Sequence, residues 1–418
     1  MHIAVLSDRY PEYGAAGAGT MAARLAEQYH DRGHTVSILT TSSETERPDA
    51  FTATSPDVES RNGITVYCFP RTPYQQLRAY HALYNPWTSP SIHQWFSQHT
   101  VDAVHAHNVH EFLSYDALRA ASTYADDVTL TYHDGMSFAY GKITHFVDND
   151  PDNDGCLPNY AYRPSVLHQV RRAKFQYNPI RNRVNKWYLS NYVDHCIAVS
   201  HELGRALRVN GRPVDDVIHN GVDQQAYLKA DGSQFRDNYG IGDQPFILFG
   251  GRASDLKGGT QLANAIAYSE TQPTLILTGN NKKYAKELRN KNTQITIRET
   301  GWVEEDLMPS AMAAATAVAT PSIFLEPFNL QNLEAMAAGT PPITTCFGGP
   351  PEVVEDDHTG YIVNPFATRK FANRIDTLVQ HTERRQELGH HAQQHVSKSF
   401  TIKKTTSKYL SFFGYRPD

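Results

Sequence analysis

Glu326 and Glu334, two carboxylates eight positions apart, are the residues whose spacing carries most chemistry in this chain. They sit in Phe324-Leu325-Glu326-Pro327-Phe328-Asn329-Leu330-Gln331-Asn332-Leu333-Glu334-Ala335-Met336-Ala337-Ala338-Gly339. Pro327 breaks the backbone ahead of a helix, Asn329 suits its N-cap, and Gly339 supplies a left-handed stop. Leu330, Leu333, Met336 and Ala337 then form the buried face, leaving Glu334 near the open N-terminal end and Glu326 on the loop leading into it. Both acids are expected to face one cleft. Unsatisfied N–H groups at the helix start, with the positive end of its dipole, suit an anion, and a carboxylate pair suits vicinal hydroxyls. A nucleotide-sugar, with phosphates between sugar diols, fits that arrangement. Two solvated acids flanking an ordinary helix fit the same spacing.

A second pattern lies earlier. The apolar run Phe246-Ile247-Leu248-Phe249 delivers a glycine loop, Gly250-Gly251-Arg252-Ala253-Ser254-Asp255-Leu256-Lys257-Gly258-Gly259, followed by a helix with Leu262 and Ile266 on one face. Arg252 and Lys257 can stabilise the charge that a departing nucleoside diphosphate gains, without a metal ion. A strand-to-helix turn with two exposed cations is the plainer alternative. At the amino terminus, Met1 to Asp8 reads as a buried strand, Met21, Leu25 and Tyr29 as a helix stripe, and Thr35 to Thr41 as the next strand. Gly14, Gly17 and Gly19 do not have G-x-G-x-x-G spacing, and no acid follows the second strand, which argues against a nicotinamide enzyme. Val101 to His107 and Val128 to Gly135 read as two more strands, ending in His107 and in His133-Asp134, at the sheet edge where ligands bind. His105, His107, His110 and Glu111 could also be read as a metal cluster, since strand alternation puts the first two on one face.

These motifs together resemble glycosyltransferase family 4, the retaining sugar transferases of the GT-B fold. The family's run reads approximately P-S-x-x-E-P-F-G-L-x-x-L-E-A-M-A; Pro321-Ser322, Glu326-Pro327-Phe328 and Leu330 through Ala337 match it, with Asn329 where glycine is usual. Gly251 to Gly258 matches G-R-x-x-x-x-K-G, His133-Asp134 matches a T-x-H-D-like element, and Ala16-Gly17 keeps half of a Gly-Gly pair. His195 to Ser200 and Val217 to Asp223 are similar to the elements that close the first domain. The resemblance implies a catalytic set of Glu326, His133, Arg252 and Lys257. Arg252 and Lys257 would hold the donor diphosphate and Glu334 the ribose diol. Glu326 and the Asn329-Leu330 backbone would hold the donor sugar, with Val303 and Gly17 also on the donor side, His133 orienting the sugar, and His107 and Asp134 on the acceptor side. It further implies a retaining transfer from a UDP- or GDP-linked sugar to a hydroxyl acceptor in a glycan, glycolipid or small metabolite, by front-face attack and with neither metal nor other cofactor. A GT-B sugar-nucleotide epimerase, a glucan phosphorylase with a Schiff-base lysine and a catalytically silent sugar-nucleotide-binding protein are the other classes to weigh.

At 418 residues and 40% hydrophobic content the chain can bury two cores. Alternating strands and helices imply an α/β protein with two Rossmann-like, doubly wound parallel sheets, which the resemblance places about a central cleft. The expected boundaries are a first domain to Asp223, a polar linker from Gln224 to Gln244, a second domain to residue 399, and a segment from Phe400 onward that crosses back to the first domain. With donor groups on one domain and His133 and Gly17 on the other, domain closure is expected. In the second domain strands are expected at Phe246–Phe249, Thr274–Thr278, Ile295–Ile297, Ala317–Thr320, Pro342–Thr345 and Tyr361–Val363. Cys68, Cys156, Cys196 and Cys346 have no metal or redox spacing and point to a reducing, cytoplasmic setting, as does the lack of a signal-peptide or membrane-span pattern. A net charge of −5 argues against nucleic-acid binding. Arg171, Arg172, Lys174, Arg181, Arg183 and Lys186, interleaved with Phe175 and Tyr177 and followed by Trp187 and Tyr188, suit peripheral contact with an anionic membrane or lipid diphosphate; a solvated helix face is the alternative. Arg71, Tyr74, Arg78, Tyr80, Tyr84 and Trp87 form a second region whose aromatic faces could stack on sugars. Asp150 to Gly155 opens like a calcium loop but has Ala161 at the twelfth position, so it reads as an acidic surface loop or a weak calcium site.

Overall fold

The computed structural model describes residues 1–11, 17–42, 51–71, 75–144, 161–251 and 253–415. The chain divides into two compact units. One gathers Met1–Ile143, Tyr162–Asn220 and the residues from Ile402 onward, and the other is built on Gly221–Thr401.

The first unit is organised by β1 (His2–Leu6), β2 (Thr35–Thr41), β3 (Asp57–Arg61), β4 (Ile64–Phe69), β5 (Val101–Ala106), β6 (Ala125–Tyr132), β7 (His195–Ala198) and β8 (Asp216–Val217), in sheet order β3-β4-β2-β1-β5-β6-β7-β8. Strand order reverses at β1, which pairs in parallel with β2 on one side and β5 on the other. The carboxyl ends of β1 and β5 therefore flank the switch point at which loops diverge and leave a crevice. Ile3 to Leu6 are fully buried, as expected of a strand covered on both faces. β3 is antiparallel to β4 and exposed from Asp57 to Ser60. Asn62 (φ 48°) and Gly63 (φ 81°) join the pair, a two-residue turn that needs positive φ at both positions. The helix Ile402–Phe412 packs on the first helix, Gly17–Asp31. Phe413 lies 5.9 Å from the Tyr29 ring, Tyr415 lies 4.8 Å from His34, and Arg32 donates to the Lys403 carbonyl at 2.7 Å.

The second unit carries β9 (Phe246–Phe249), β10 (Thr274–Thr278), β11 (Ile297–Gly301), β12 (Ala317–Thr320), β13 (Pro342–Thr345) and β14 (Tyr361–Val363) in order β11-β10-β9-β12-β13-β14. All its pairings are parallel, and its switch point lies between β9 and β12. Ile247, Phe249, Leu275, Leu277 and Ile343 pack against Leu262, Ile266, Phe371 and Ile375 in its core.

The stretch Gln224 to Gln244 is not a linker. It folds into the helices Gln224–Leu228 and Gly232–Asn238, capped by the side chains of Asp223 and Asp231. Phe235 is completely buried, and a Cβ on Gly232 would lie 2.8 Å from the Ala314 backbone, so this segment is docked on the helix Met308–Ala314. Its polar composition concealed two Asx caps and one aromatic anchor. Cys68 and Cys196 are buried and not in disulfides, whereas Cys346 is disulfide-bonded, unlike the reduced state expected for all the cysteines. Among the described residues no helix is long and apolar enough to cross a membrane. Tyr74 and Asp150 to Gly155 lie outside the described residues.

Candidate functional site

In the second unit the chemistry collects at the carboxyl ends of β9 and β12. Gly251 turns in the left-handed region (φ 79°), and its carbonyl accepts from Ala253 N at 3.0 Å and from Asn281 Nδ2 at 2.9 Å. Asn281 Oδ1 in turn accepts from Ala253 N at 3.1 Å, so one amide side chain clamps both limbs of the glycine loop. Arg252, between those limbs, lies outside the described residues. Gly258 (φ 82°) passes so close to the loop after β12 that a Cβ would sit 1.8 Å from the Pro321 carbonyl oxygen. That approach brings the two sequence motifs together: Lys257 Nζ donates to Glu326 Oε2 at 2.7 Å, and Ser322 Oγ donates to the same oxygen at 2.7 Å. Lys257 Nζ also lies 5.1 Å from the Phe324 ring centre. Glu326 is 5% exposed. Its N–H donates to Phe347 O and its carbonyl accepts from Gly349 N, while Gly348 (φ 97°) leaves only 2.0 Å between a hypothetical Cβ and that carbonyl. A buried carboxylate can persist only with such partners.

The helix Leu330–Ala337 follows. Asn329, at φ 70° and ψ 92°, caps it by accepting from Gln331 N at 3.2 Å, and positive φ is tolerated by Asn better than by most residues. Gly339 (φ 78°) follows its last turn. The buried face differs from expectation: Leu330 is only half-buried, whereas Asn332 is fully buried. Thr320 and Thr344 on β12 and β13 present hydroxyls to this helix, and Asn332 bonds both at 2.8 and 3.0 Å. Glu334 is half-buried in the second turn. A Cβ on Gly250 would lie 2.3 Å from Gln331 Nε2, so the glycine loop runs directly beside the start of this helix. Val303 is buried just beyond β11.

In the first unit, the carboxyl ends of β1, β5 and β6 hold a dense set of titratable groups. Asp8 accepts from the amides of Glu111, Phe112 and Leu113 at 2.7, 2.9 and 2.8 Å, tying the loop after β1 to the loop after β5. Burial pushes its carboxyl up to about 6, against the pull of His110 and those amides. His107 Nδ1 and His133 Nε2 share a hydrogen bond of 2.8 Å with stacked rings. His107 is buried and its Nε2 has no partner among the described residues; His133 is half-buried. His105 bonds the Tyr29 hydroxyl at 2.9 Å and Thr131 Oγ1 at 2.8 Å, and Thr131 donates on to the Tyr409 hydroxyl at 3.0 Å. Burial lowers His105 to about 3 and His133 to about 4, and holds His107 well below the usual imidazole range. The three rings are therefore neutral at pH 7, so His133 stands as a hydrogen-bonding imidazole and not as a cation. For Asp134, burial alone would raise the carboxyl. The charges of His110 and Lys142, with the Met136 amide, outweigh it and keep the group below its ordinary value.

The metal-cluster reading fails on geometry. Both nitrogens of His105 are engaged elsewhere, His107 turns to His133, His110 faces Asp134 at 3.6 Å, and Glu111 binds Arg9 at 2.7 Å and Arg78 at 3.5 Å. Gly17 opens the helix after β1. The basic stretch is split: Tyr177, Arg181 and Tyr188 are buried, while Arg171, Arg172, Lys174, Arg183, Lys186, Phe175 and Trp187 are exposed. Ser322, Asn281, Asn332, Thr131 and Tyr409 were not singled out by sequence reasoning. Only Ser322 carried a signal, as part of the Pro-Ser dipeptide.

Comparison with known proteins gives two family-model matches, one described as Glycosyltransferase Family 4 over residues 15–226 and one as Glycosyl transferases group 1 over residues 232–395. The chain is 29% identical over 226 residues to the N-acetyl-alpha-D-glucosaminyl L-malate synthase of Bacillus anthracis, covering 53% of this chain and 59% of that protein. It is 24% identical over 267 residues to spore coat protein SA of Bacillus subtilis (strain 168), covering 58% and 71%. Among solved structures, Anabaena HepE in complex with UDP and glucose superposes with a TM-score of 0.70 at 21% identity, covering 99% of each chain. Sucrose-phosphate synthase from Thermosynechococcus elongatus gives 0.76 at 19%, covering 99% and 98%. At these identities the structural likeness is one of fold.

Proposed function

Because the chain belongs to glycosyltransferase family 4 and has the two doubly wound parallel sheets of a GT-B protein, we propose that it transfers a sugar from a UDP- or GDP-linked donor to a hydroxyl acceptor with retention of configuration. The Lys257–Glu326 pair supports this reading most. An ammonium has three donors; one is given to Glu326, and a diphosphate placed over the glycine loop would accept another. Arg252 would add its fork, and the start of the helix Leu330–Ala337 would direct amides at the same anion. Glu326 and the Asn329-Leu330 backbone would then hold the donor sugar, Glu334 the ribose diol, and Val303 and Gly17 further parts of the donor. His133, neutral and braced by His107, would bond a sugar hydroxyl, with Asp134 toward the acceptor. As the C1–O bond to phosphate breaks on the face where the acceptor oxygen bonds, the acceptor's proton passes to a phosphate oxygen of the leaving group.

Lys257 and Arg252 would neutralise the diphosphate in place of a divalent ion, so transfer should survive EDTA. The assay is nucleotide release from a panel of UDP-, GDP- and ADP-sugars in EDTA, with the product's anomeric configuration read by NMR. Activity abolished by EDTA and restored by manganese or magnesium, or an inverted product, counts against the proposal.

The reading extends to a membrane-associated acceptor. Val166, Leu167, Val170, Phe175, Ile180 and Trp187 are 39–70% exposed, an unusual density of large apolar side chains on one segment. From Tyr162 to Val193 the sequence contains no acidic residue, so this exposed apolar segment is also basic, which suits an anionic bilayer. Tyr80, exposed, donates to the Phe175 carbonyl at 3.3 Å and brings a further aromatic ring to this segment. The protein should sediment with vesicles containing phosphatidylglycerol and not with pure phosphatidylcholine. A Leu167→Ser/Phe175→Ser variant should lose most of that binding while keeping its melting temperature; equal sedimentation of the variant would remove the segment from the interface.

A further inference from the structure

Arg71 stands just past the end of β4 and is 6% exposed, yet its Nε and Nη2 are buried with no partner among the described residues. Its guanidinium lies instead over the Phe112 ring, 4.2 Å from the centre, with the Arg9 guanidinium 5.6 Å from the same ring. Arginine does not deprotonate in proteins, and an uncompensated buried charge is strongly unfavourable. The nearby acids are already occupied. Both oxygens of Asp8 accept backbone amides, and Glu111 accepts from Arg9 at 2.7 and 3.0 Å and faces Arg78 at 3.5 Å. Three guanidinium groups thus lie about two carboxylates, and the most deeply buried of the three, although Asp8 and Glu111 attract it, makes no ion pair among the described residues. Strand order β4-β2-β1-β5-β6 sets this cluster on the same carboxyl edge as His107 and His133.

We propose that Arg71, with Arg9 and Arg78, forms a subsite for an oxyanion, a phosphate or carboxylate, carried by the acceptor. The naming of the ligand as acceptor rests on the transferase reading, whereas the anion site itself does not. The rigid fork of arginine presents parallel N–H donors to two oxygens of such a group. Phe112 fixes the guanidinium plane beforehand, so little side-chain entropy is lost on binding. An acceptor held this way would carry a hydroxyl for the sugar and an anion for the arginines.

Thermal shift with inorganic phosphate and with malonate tests the site and separates the two ligand chemistries. Because phosphate also suits a diphosphate site, the titrations are made on Lys257→Ala and on Lys257→Ala/Arg71→Met. The first protein should show a saturable rise in Tm with at least one anion, and the second should show none. Arg71→Met alone should melt higher than wild type without added anion, because it removes an unpaired buried charge; a merely structural arginine would give the opposite sign. Arg9→Gln, at a more exposed position, provides a second variant and should weaken the anion response severalfold. The proposal is overturned if neither anion gives a saturable rise, or if the rise is unchanged without Arg71. The Tm shift of Arg71→Met with UDP, measured alongside, reports on the donor site independently, so loss of the anion response with the UDP shift intact removes only this subsite.

Discussion

Replacing Lys257 by alanine is expected to lower kcat/KM by about ten- to a few hundredfold, because a charge-assisted hydrogen bond to the leaving group is worth roughly 1.5 to 3 kcal/mol. The structure adds a second consequence. Glu326 is buried and accepts side-chain bonds from Lys257 and Ser322, so the substitution also withdraws the cation that holds the carboxylate's charge and direction. Glu326→Gln keeps the shape and should by itself reduce kcat on the order of a hundredfold, the scale of one positioned electrostatic contact. Since the two groups act as one unit, the double variant should fall little below the weaker single variant, a departure from additivity of about 1 to 3 kcal/mol. Rates from all four proteins close the cycle. Additive losses would mean that Lys257 and Glu326 act separately, and wild-type kcat/KM in folded Lys257→Ala would place the diphosphate elsewhere.

Acidification should destabilise the first unit strongly. His105, His107 and His133 are held neutral by burial, with His105 near 3 and His133 near 4, while in an unfolded chain they titrate near 6.5. Between these values the unfolded state binds more protons, so stability is complete above pH 6.5 and is lost as pH falls through it. From pH 7 to pH 5 His105 and His133 each cost about 2 kcal/mol, at roughly 1.4 kcal/mol per pH unit below 6.5, and His107 acts in the same direction. Asp8 works the other way: its carboxyl, raised to about 6, holds its proton to a higher pH in the folded state than in the unfolded chain, so protonation between pH 6 and pH 5 returns about 1.4 kcal/mol. His34 and His81, both lowered by burial, add to the loss. For His105, His133 and Asp8 together the net loss is about 2 to 3 kcal/mol, which His107 increases, a large share of a domain's stability. Urea unfolding at the two pH values measures it by tryptophan fluorescence, to which Trp87, Trp95 and Trp187 contribute from this unit. Equal stabilities at pH 7 and pH 5 would show that these rings are not buried neutral.

Much of the second unit was legible because its strands are short, continuous apolar runs bounded by Gly, Pro or polar residues. Phe246–Phe249, Thr274–Thr278, Ala317–Thr320, Pro342–Thr345 and Tyr361–Val363 stand where periodicity and flanking residues put them. β11 slipped by two residues at its start because it lies at the sheet edge and runs on through Arg298, Glu299 and Thr300, which a search for apolar runs passes over. The β3-β4 hairpin was missed although Asn62-Gly63 announces its turn, since β3 has no apolar face to signal it. At the site, the residue types and the helix N-cap could be read locally. The Lys257–Glu326 bond could not, because it joins two loops through space and depends on the space left at Gly258. Asn332 and the Tyr29–His105–Thr131–Tyr409 chain were hidden for a related reason: a polar side chain inside a core is explained only by partners on other elements.

The packing of the helix Ile402–Phe412 on the first unit bears on how the protein is made. Thr131 and Tyr409, bonded in the finished core, are separated by 278 positions, and the whole of Gly221–Thr401 is synthesised between them. On the ribosome the first sheet can assemble early, but His105 and Tyr29 stay open to water until residues past 402 emerge. At about 5 to 20 residues per second that interval lasts on the order of 10 to 60 seconds. Translation speed and chaperone capture during this wait, more than the stability of the completed molecule, would then govern the yield of active protein.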